Sequence, residues 1–210
     1  MIRVLLLIIG YCCGLLQTGY LYGKMNGIDI RSKGSGNSGA TNTLRVLGKK
    51  AGLIVFLGDF LKSLIPCVIV RSLFGDSEGV LVYMLYMALG VILGHNYPCY
   101  LNFRGGKGIA CTAGLILALD IRIGVVCLAA FIAVVAITRF VSLGSLFVTT
   151  INLIMAIIFW KIGWFTVGAG FVPEYVILLA VITALSYVRH RANIVRLMNG
   201  TENKIGQKKS

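Results

Sequence analysis

Residues 109–138 read IACTAGLILALDIRIGVVCLAAFIAVVAIT. A helix needs about 20 apolar residues to cross a bilayer, so this stretch is either one long tilted crossing or two helices broken at "LDIRIG" (119–124). The choice fixes the side of the membrane on which everything downstream lies. Further apolar segments run at about 3–22, 51–71, 79–97, 142–160 and 171–188. Breaking 109–138 gives seven crossings; merging it gives six. With seven and the N-terminus outside, the inner face holds 23–50, 98–108, 189–210 and a short turn at Arg139. These carry 6, 2, 6 and 1 Lys or Arg residues, 15 of the 20. Arg3, Arg71, Arg122, Lys161 and the acidic loop "FGDSEG" (74–79) fall outside. Merging would put the basic C-terminal tail outside, against the inward bias of Lys and Arg. The reading is therefore an all-α integral membrane protein, a seven-transmembrane-helix bundle with N-terminus outside and C-terminus cytoplasmic. Residues 1–210 form one polytopic domain, with 203–210 expected as a flexible basic tail.

Composition agrees. The chain of 210 residues is 58% hydrophobic and 13% charged, with mean hydropathy +0.89; soluble domains run near half apolar and a quarter charged. The first apolar run continues past Gly10 to about Tyr22 with no small-residue cleavage site, so it is not a cleaved signal. The net charge of +13 follows from the positive-inside rule, with room for anionic lipid or an anionic substrate, and does not call for nucleic acid. The six cysteines form no CxxC pair and the two histidines lie away from them. Buried thiols are expected, with no metal and no cofactor.

Three polar stretches fall on the inner face. "GSGNSGATNTLR" (34–45) sets Gly34, Gly36 and Gly39 ahead of a short helix through Lys50. Glycines with positive φ can turn successive N–H groups into an anion-binding nest. Thr41 or Asn42 could cap the helix, and Asn42, Arg45 and Lys49 share one face of it. The stretch is either a phosphate cradle or a tight membrane-face turn with basic anchors. "GHNYPCYLNFRGGKGIA" (94–110) again pairs glycines with cations before a helix, without the pattern of a Walker A loop. A single histidine such as His95 fits a helix-cap or hydrogen-bonded packing role better than a catalytic one. The residues five after His95 and His190 are Tyr100 and Val195, so the H-x-x-x-x-D pattern of His-base acyltransferases is absent. "SYVRHRANIVRLMNGTEN" (186–203) reads as a basic helix on anionic lipid, or as one turning His190 and Asn193 toward the other loops. Asp59 and Lys62 lie three apart inside the second apolar segment, and the favoured role is a structural ion pair under the loops. Together the stretches offer glycines, cations and amides, with Glu202 the one acid near the third. Such a site suits a substrate with one or two phosphates and not proton-coupled transport.

"GSGNSGATNTLR", "GHNYPCYLNFRGGKGIA" and "HRANIVRLMNGTE", in this order, resemble the three signature motifs of the bacterial membrane acyl-phosphate:glycerol-3-phosphate acyltransferase family. "LGDFLKS" and "RFVSLGS" are similar to further family features. The resemblance implies a seven-helix fold in the bacterial inner membrane with its site at the cytoplasmic face. It also implies acyl transfer from acyl phosphate to the 1-hydroxyl of sn-glycerol 3-phosphate, the first acylation of phospholipid synthesis. A soluble enzyme that makes the acyl phosphate is the implied functional partner, beside membrane lipids. By the same resemblance Ser35, Gly36, Asn37 and Arg45 bind phosphate, with Thr41 and Asn42 supporting their loop. His95, Gly105, Gly106 and Lys107 form the second motif, Lys107 contacting the donor phosphate. His190, Asn193 and Arg196 hold glycerol 3-phosphate, Glu202 closes the third motif, and Ser142 is a secondary candidate. Ser35, Arg45, His95, Lys107 and Asn193 are assigned to the catalytic centre and the others to binding. Arg104 stands where a lysine is common, which keeps the charge.

Acyl phosphate is an activated donor, so the expected work is positioning and charge stabilisation. No general base stands out. A substrate phosphate oxygen is expected to take the hydroxyl proton, with His95 or His190 as the rival base. A small transporter of phosphorylated or lipid substrates is the alternative; the one-sided loops and the lack of a polar path count against it.

Overall fold

The break at 119–124 is real, and it has a physical cause. Asp120 is extended (φ −166°, ψ 133°) and caps the helix that follows, its carboxylate accepting from the Arg122 N–H at 2.7 Å. Arg71 donates to the Leu119 carbonyl at 2.8 Å, satisfying the end of the helix before it. In the computed structural model, which describes residues 1–206, the helices are α1 (Ile2–Gly14), α2 (Thr18–Met25), α3 (Ala40–Leu47), α4 (Lys49–Phe74), α5 (Val80–Asn96), α6 (Ile109–Leu119), α7 (Ile121–Thr138), α8 (Val141–Lys161), α9 (Val172–Arg189) and α10 (Arg191–Met198). Among the described residues six helical runs are long and apolar enough to cross a membrane: Ile2–Met25, Lys49–Phe74, Val80–Leu101, Ile121–Thr138, Val141–Lys161 and Ala169–Arg189. The apolar α6 has 11 residues, a rise of about 16 Å, roughly half the hydrocarbon thickness. The molecule is thus an all-helical, multi-pass membrane protein.

α5 is the central helix, apolar all round and buried along most of its length. α1 lies against it through two glycine pairs. A Cβ at Gly10 would overlap the Met87 carbonyl, and one at Gly90 the Leu7 carbonyl. Gly14 and Gly94 face each other in the same way one turn on. Lipid supplies no hydrophobic drive to pair helices, so close backbone approach at small residues supplies the contact. α6 packs on α4 at Gly114, where a Cβ would overlap the Phe60 carbonyl. α7 is the most lipid-exposed span, with Ile121, Val125, Leu128, Ile132 and Ile137 outward.

The first apolar segment departs from the uninterrupted run its sequence implies. It breaks at residues 15–17 between α1 and α2. Freed carbonyls inside a membrane need donors, and each has one. Tyr100 Oη donates to Leu15 O at 2.8 Å and Lys62 Nζ to Leu16 O at 2.6 Å. Gln17 Nε2 reaches Gly14 O, Gly94 O and His95 O at 3.2, 3.2 and 3.1 Å. Successive long helices alternate in direction. The N-termini of α4, α6 and α8 and the C-termini of α5, α7 and α9 therefore gather at one end, beneath α3 and α10.

Two smaller expectations change. Residues 203–206 are tied down: Ile205 and Arg139 exchange backbone N–H···O and guanidinium···O bonds at 2.9 and 2.7 Å. Residues 207–210 of the expected flexible tail lie outside the described residues. All six cysteines are free thiols, but Cys12 and Cys99 are exposed while Cys67, Cys111 and Cys127 are buried.

Candidate active site

The loop before α3 is held by one side chain. Asn42 Oδ1 accepts from the Ser35 N–H at 2.7 Å and the Ser35 hydroxyl at 3.1 Å. Its amide donates to Ile30 O, Lys33 O and Asn37 O at 3.0, 3.0 and 2.8 Å. Asn37 Oδ1 accepts from the Gly39 N–H, and the Gly36 N–H goes to Lys33 O. Gly34 and Gly36 have positive φ, 62° and 74°, but the N–H groups at 35, 36 and 39 are spent within the loop. Those three N–H groups of the expected nest are therefore not free to meet an anion. Gly39, not Thr41 or Asn42, is the N-cap of α3. α3 stops at Leu47 because Gly48 turns the chain at φ +88°, so Lys49 opens α4 and does not share a helical face with Arg45.

The second and third motifs lock onto the first. The Gly105 and Gly106 N–H groups donate back to Asn96 O and His95 O. Asn37 Nδ2 donates to the Gly105 carbonyl at 3.3 Å, and the Arg189 guanidinium to the Gly105 and Gly106 carbonyls at 3.2 and 2.7 Å. Arg189 also stacks on the Tyr97 ring, 4.9 Å from its centre. Lys107 Nζ donates to Asn193 Oδ1 at 2.5 Å, Asn193 Nδ2 donates to Glu202 Oε1 at 2.7 Å, and the Ser142 hydroxyl reaches the same oxygen at 2.9 Å. Arg196 Nε donates to Glu202 Oε2 at 2.7 Å. An ammonium only donates and a carboxylate only accepts, so both neighbours fix the same orientation of the Asn193 amide.

Asn37, Lys107, Ser142, Asn193 and Glu202 help wall a cavity of about 150 Å³. Ala40 and Thr41 open α3, Ile109 and Ala110 open α6, and Val141 and Ser142 open α8; all line it. First-turn N–H groups have no intrahelical partner, and helix N-termini carry positive potential. Three such termini converge with Lys107 and Arg45, a setting for phosphate. On the membrane side the cavity is bounded by Phe56 of α4 and Phe131 of α7. Burial lowers the Lys107 pKa to about 8, with Glu202 pulling it up and Arg196, Arg45 and Arg189 pushing it down. Burial would raise the Glu202 carboxyl, but hydrogen bonds from Asn193, Arg196 and Ser142 outweigh it and its pKa is lowered. Burial and the charge of Lys107 take His190 down to about 4. Its Nδ1 lies 2.8 Å from the Ser186 carbonyl, which accepts only, so Nδ1 carries the proton and Nε2 is bare. Among the described residues no group of three or more His, Cys, Asp and Glu is placed to hold a metal.

A family model for glycerol-3-phosphate acyltransferases matches residues 4–200. The chain belongs to the glycerol-3-phosphate acyltransferase family. The acyltransferase of Clostridioides difficile is 42% identical over 98% of this chain and 97% of its own. That of Halalkalibacterium halodurans is 44% identical over 97% and 96%. Crystal structures of PlsY, an integral membrane glycerol 3-phosphate acyltransferase, match in two forms. The glycerol 3-phosphate form has TM-score 0.84 and 35% identity over 97% of this chain and 96% of that one. The lysophosphatidic acid form has TM-score 0.82 and 34% identity over 97% and 95%.

Within this acyltransferase fold, Ser35, Asn37, Thr41, Asn42, Arg45, His95, Lys107, Ser142, His190, Asn193 and Glu202 all line the cavity. Gly36, Gly105, Gly106 and Arg196 do not. The two second-motif glycines sit against the His95 ring and backbone, where a Cβ at Gly106 would overlap Nε2. Arg196 acts from behind through Glu202. Sequence reasoning missed Arg189 as the brace of the glycine turn, and it missed Asp59 and Ser145 in the cavity wall. Arg189 was visible only as one arginine in a basic run. No local pattern marks which one turns inward.

Proposed function

We propose that this chain transfers a fatty acyl group from acyl phosphate to the 1-hydroxyl of sn-glycerol 3-phosphate, giving 1-acylglycerol 3-phosphate and inorganic phosphate. The observation that carries the reading is the meeting of Lys107, Arg45 and three helix N-termini at one small cavity. Phe56 and Phe131 bound its membrane side, so a phosphate head group and an apolar tail both have surroundings that suit them. Family membership and the glycerol 3-phosphate and lysophosphatidic acid forms of PlsY support the same substrate and product.

Phosphate leaves readily once its charge is neutralised. Lys107 and Arg45 serve that step, and the helix N-termini serve the charge developing at the carbonyl oxygen. The hydroxyl proton passes to a substrate phosphate oxygen. A phosphate monoester has a second pKa near 6, whereas His190 sits at about 4, so the phosphate is the stronger base of the two. Ser35, Asn193 and Thr41 orient the substrates. The whole chain acts as one domain crossing the bacterial inner membrane seven times, α6 included, with the cavity at the cytoplasmic face. There it receives glycerol 3-phosphate from the cytosol and acyl phosphate made by a soluble enzyme.

The test is phosphate release from purified protein in lipid, with palmitoyl phosphate in the presence and absence of glycerol 3-phosphate and with palmitoyl-CoA as control. Release that needs both substrates, with lysophosphatidate formed, is the expected result. Activity with palmitoyl-CoA would overturn the donor, and no release from folded protein would overturn the reaction.

A further inference from the structure

At the cavity wall and just behind it lie three titratable side chains that the mechanism above does not use as acid or base. Asp59 and Lys62 of α4 and His95 of α5 have side chains only 1%, 4% and 4% exposed. Buried ion pairs seldom repay their desolvation, and apolar residues would join these helices at lower cost. Ionisable groups inside a membrane mark function. Lys62 Nζ has three short neighbours: Leu16 O at 2.6 Å, Asp59 Oδ1 at 2.8 Å and His95 Nδ1 at 2.9 Å. An ammonium has three hydrogens and no lone pair, so these contacts use all of them and Nδ1 of His95 is the accepting nitrogen. Asp59 Oδ1 is 3.6 Å from the same Nδ1, too long to take a proton from it directly. The ring proton therefore sits on Nε2. His95 lines the cavity, its Nε2 faces Gly106, and no protein group accepts from that nitrogen among the described residues.

We infer that Lys62, set by Asp59, is a positioning residue that holds His95 in the Nε2–H form, so that His95 offers the substrate a hydrogen-bond donor and not a base. The two cavity histidines are then opposite tautomers. His95 presents an N–H suited to a phosphate or carbonyl oxygen, and His190 presents a lone pair suited to a hydroxyl. Thr18, donating to Asp59 Oδ1 at 3.1 Å, completes the support. The inference rests on the acyltransferase reading only for what His95 donates to; the tautomer itself stands apart from it.

The experiment has two arms. Nitrogen-15 spectra of ring-labelled histidine in the unaltered protein report the tautomer, and with two histidines in the chain His95→Gln assigns the signals. A protonated Nε2 and bare Nδ1 at His95 are expected; a protonated Nδ1 or an imidazolium would overturn the inference. The second arm is a double-mutant cycle in kcat/KM with Lys62→Met and His95→Gln. Each is expected to lower kcat/KM at least ~10-fold, and the double variant no further than the worse single, the mark of residues acting through one another. Losses that multiply would mean that Lys62 merely ties the α1–α2 break, and would overturn it. If Lys62→Met does not fold, the spectra of the unaltered protein decide. An inactive wild-type protein with the expected spectra would remove the reaction and leave the tautomer standing.

Discussion

In the proposed reaction Lys107 neutralises the leaving phosphate, and its burial makes that charge sensitive to pH. With its pKa at about 8 it loses its proton well below an ordinary lysine. The expected alkaline limb in kcat/KM for acyl phosphate therefore lies near pH 8, activity falling as pH rises through it, and Lys107→Arg should remove that limb. Lys107→Ala should cost ~100-fold or more, as for a lost transition-state contact, while Lys49→Ala, exposed at the start of α4, should change little. Glu202→Gln takes away the negative charge that pulls Lys107 up, so it should move the same limb to lower pH as well as slow turnover. An unmoved limb would detach Glu202 from Lys107. The types and spacing of these residues were legible, because phosphate chemistry needs cations beside flexible backbone. Their partners were not. That Asn42 takes the Ser35 amide, and that Asn193 spans Lys107 and Glu202, depends on side-chain directions set by segments up to 86 residues apart in the chain.

At the scale of elements, the spans were legible because hydropathy alone marks them, and the break between α6 and α7 because charge counting required it. The break at residues 15–17 was hidden, since its polar groups are satisfied by Tyr100, Lys62 and Gln17, two of them distant in sequence. The glycine pairs Gly10/Gly14 and Gly90/Gly94 stand in the sequence at four-residue spacing, but the spacing does not name which helix faces which. Their contact has a consequence for the site, because His95 follows Gly94 at the end of α5. Gly94→Leu would drive a side chain into the Tyr11 carbonyl. It should cost about 1–3 kcal/mol, as overpacking does, and lower the melting temperature in detergent and the turnover together. Gly124→Ala, whose added Cβ meets nothing closer than Leu117 at 3.5 Å, is the matched control and should leave both unchanged.

At the scale of the whole molecule, the two ends treat charge differently. Away from the cavity, Arg3 is paired with Glu174 at 2.7 Å, with Tyr86 on the same carboxylate, and Arg122 with Asp120 at 2.7 Å. At the cavity end, cations outnumber acids, which supports the cytoplasmic face proposed for it. The proposed count of seven crossings turns on the short α6, and the loop contacts bear on it. Gly168 N donates to Glu78 O at 3.1 Å, and a Cβ at Gly79 would meet the Phe171 ring. The α4–α5 and α8–α9 loops therefore share one end, so α6 runs from the cavity end toward it, as the proposed seven crossings would need. With the native cysteines replaced, Asp76→Cys and Lys161→Cys should both react with an impermeant maleimide on intact cells, while Lys33→Cys and Asn199→Cys should react only after permeabilisation. Labelling of Asp76→Cys and Lys161→Cys from opposite sides would mean that α6 does not cross. The cavity would then lose its N-terminal N–H groups on the substrate side, and the phosphate site built from three helix ends would fail with it.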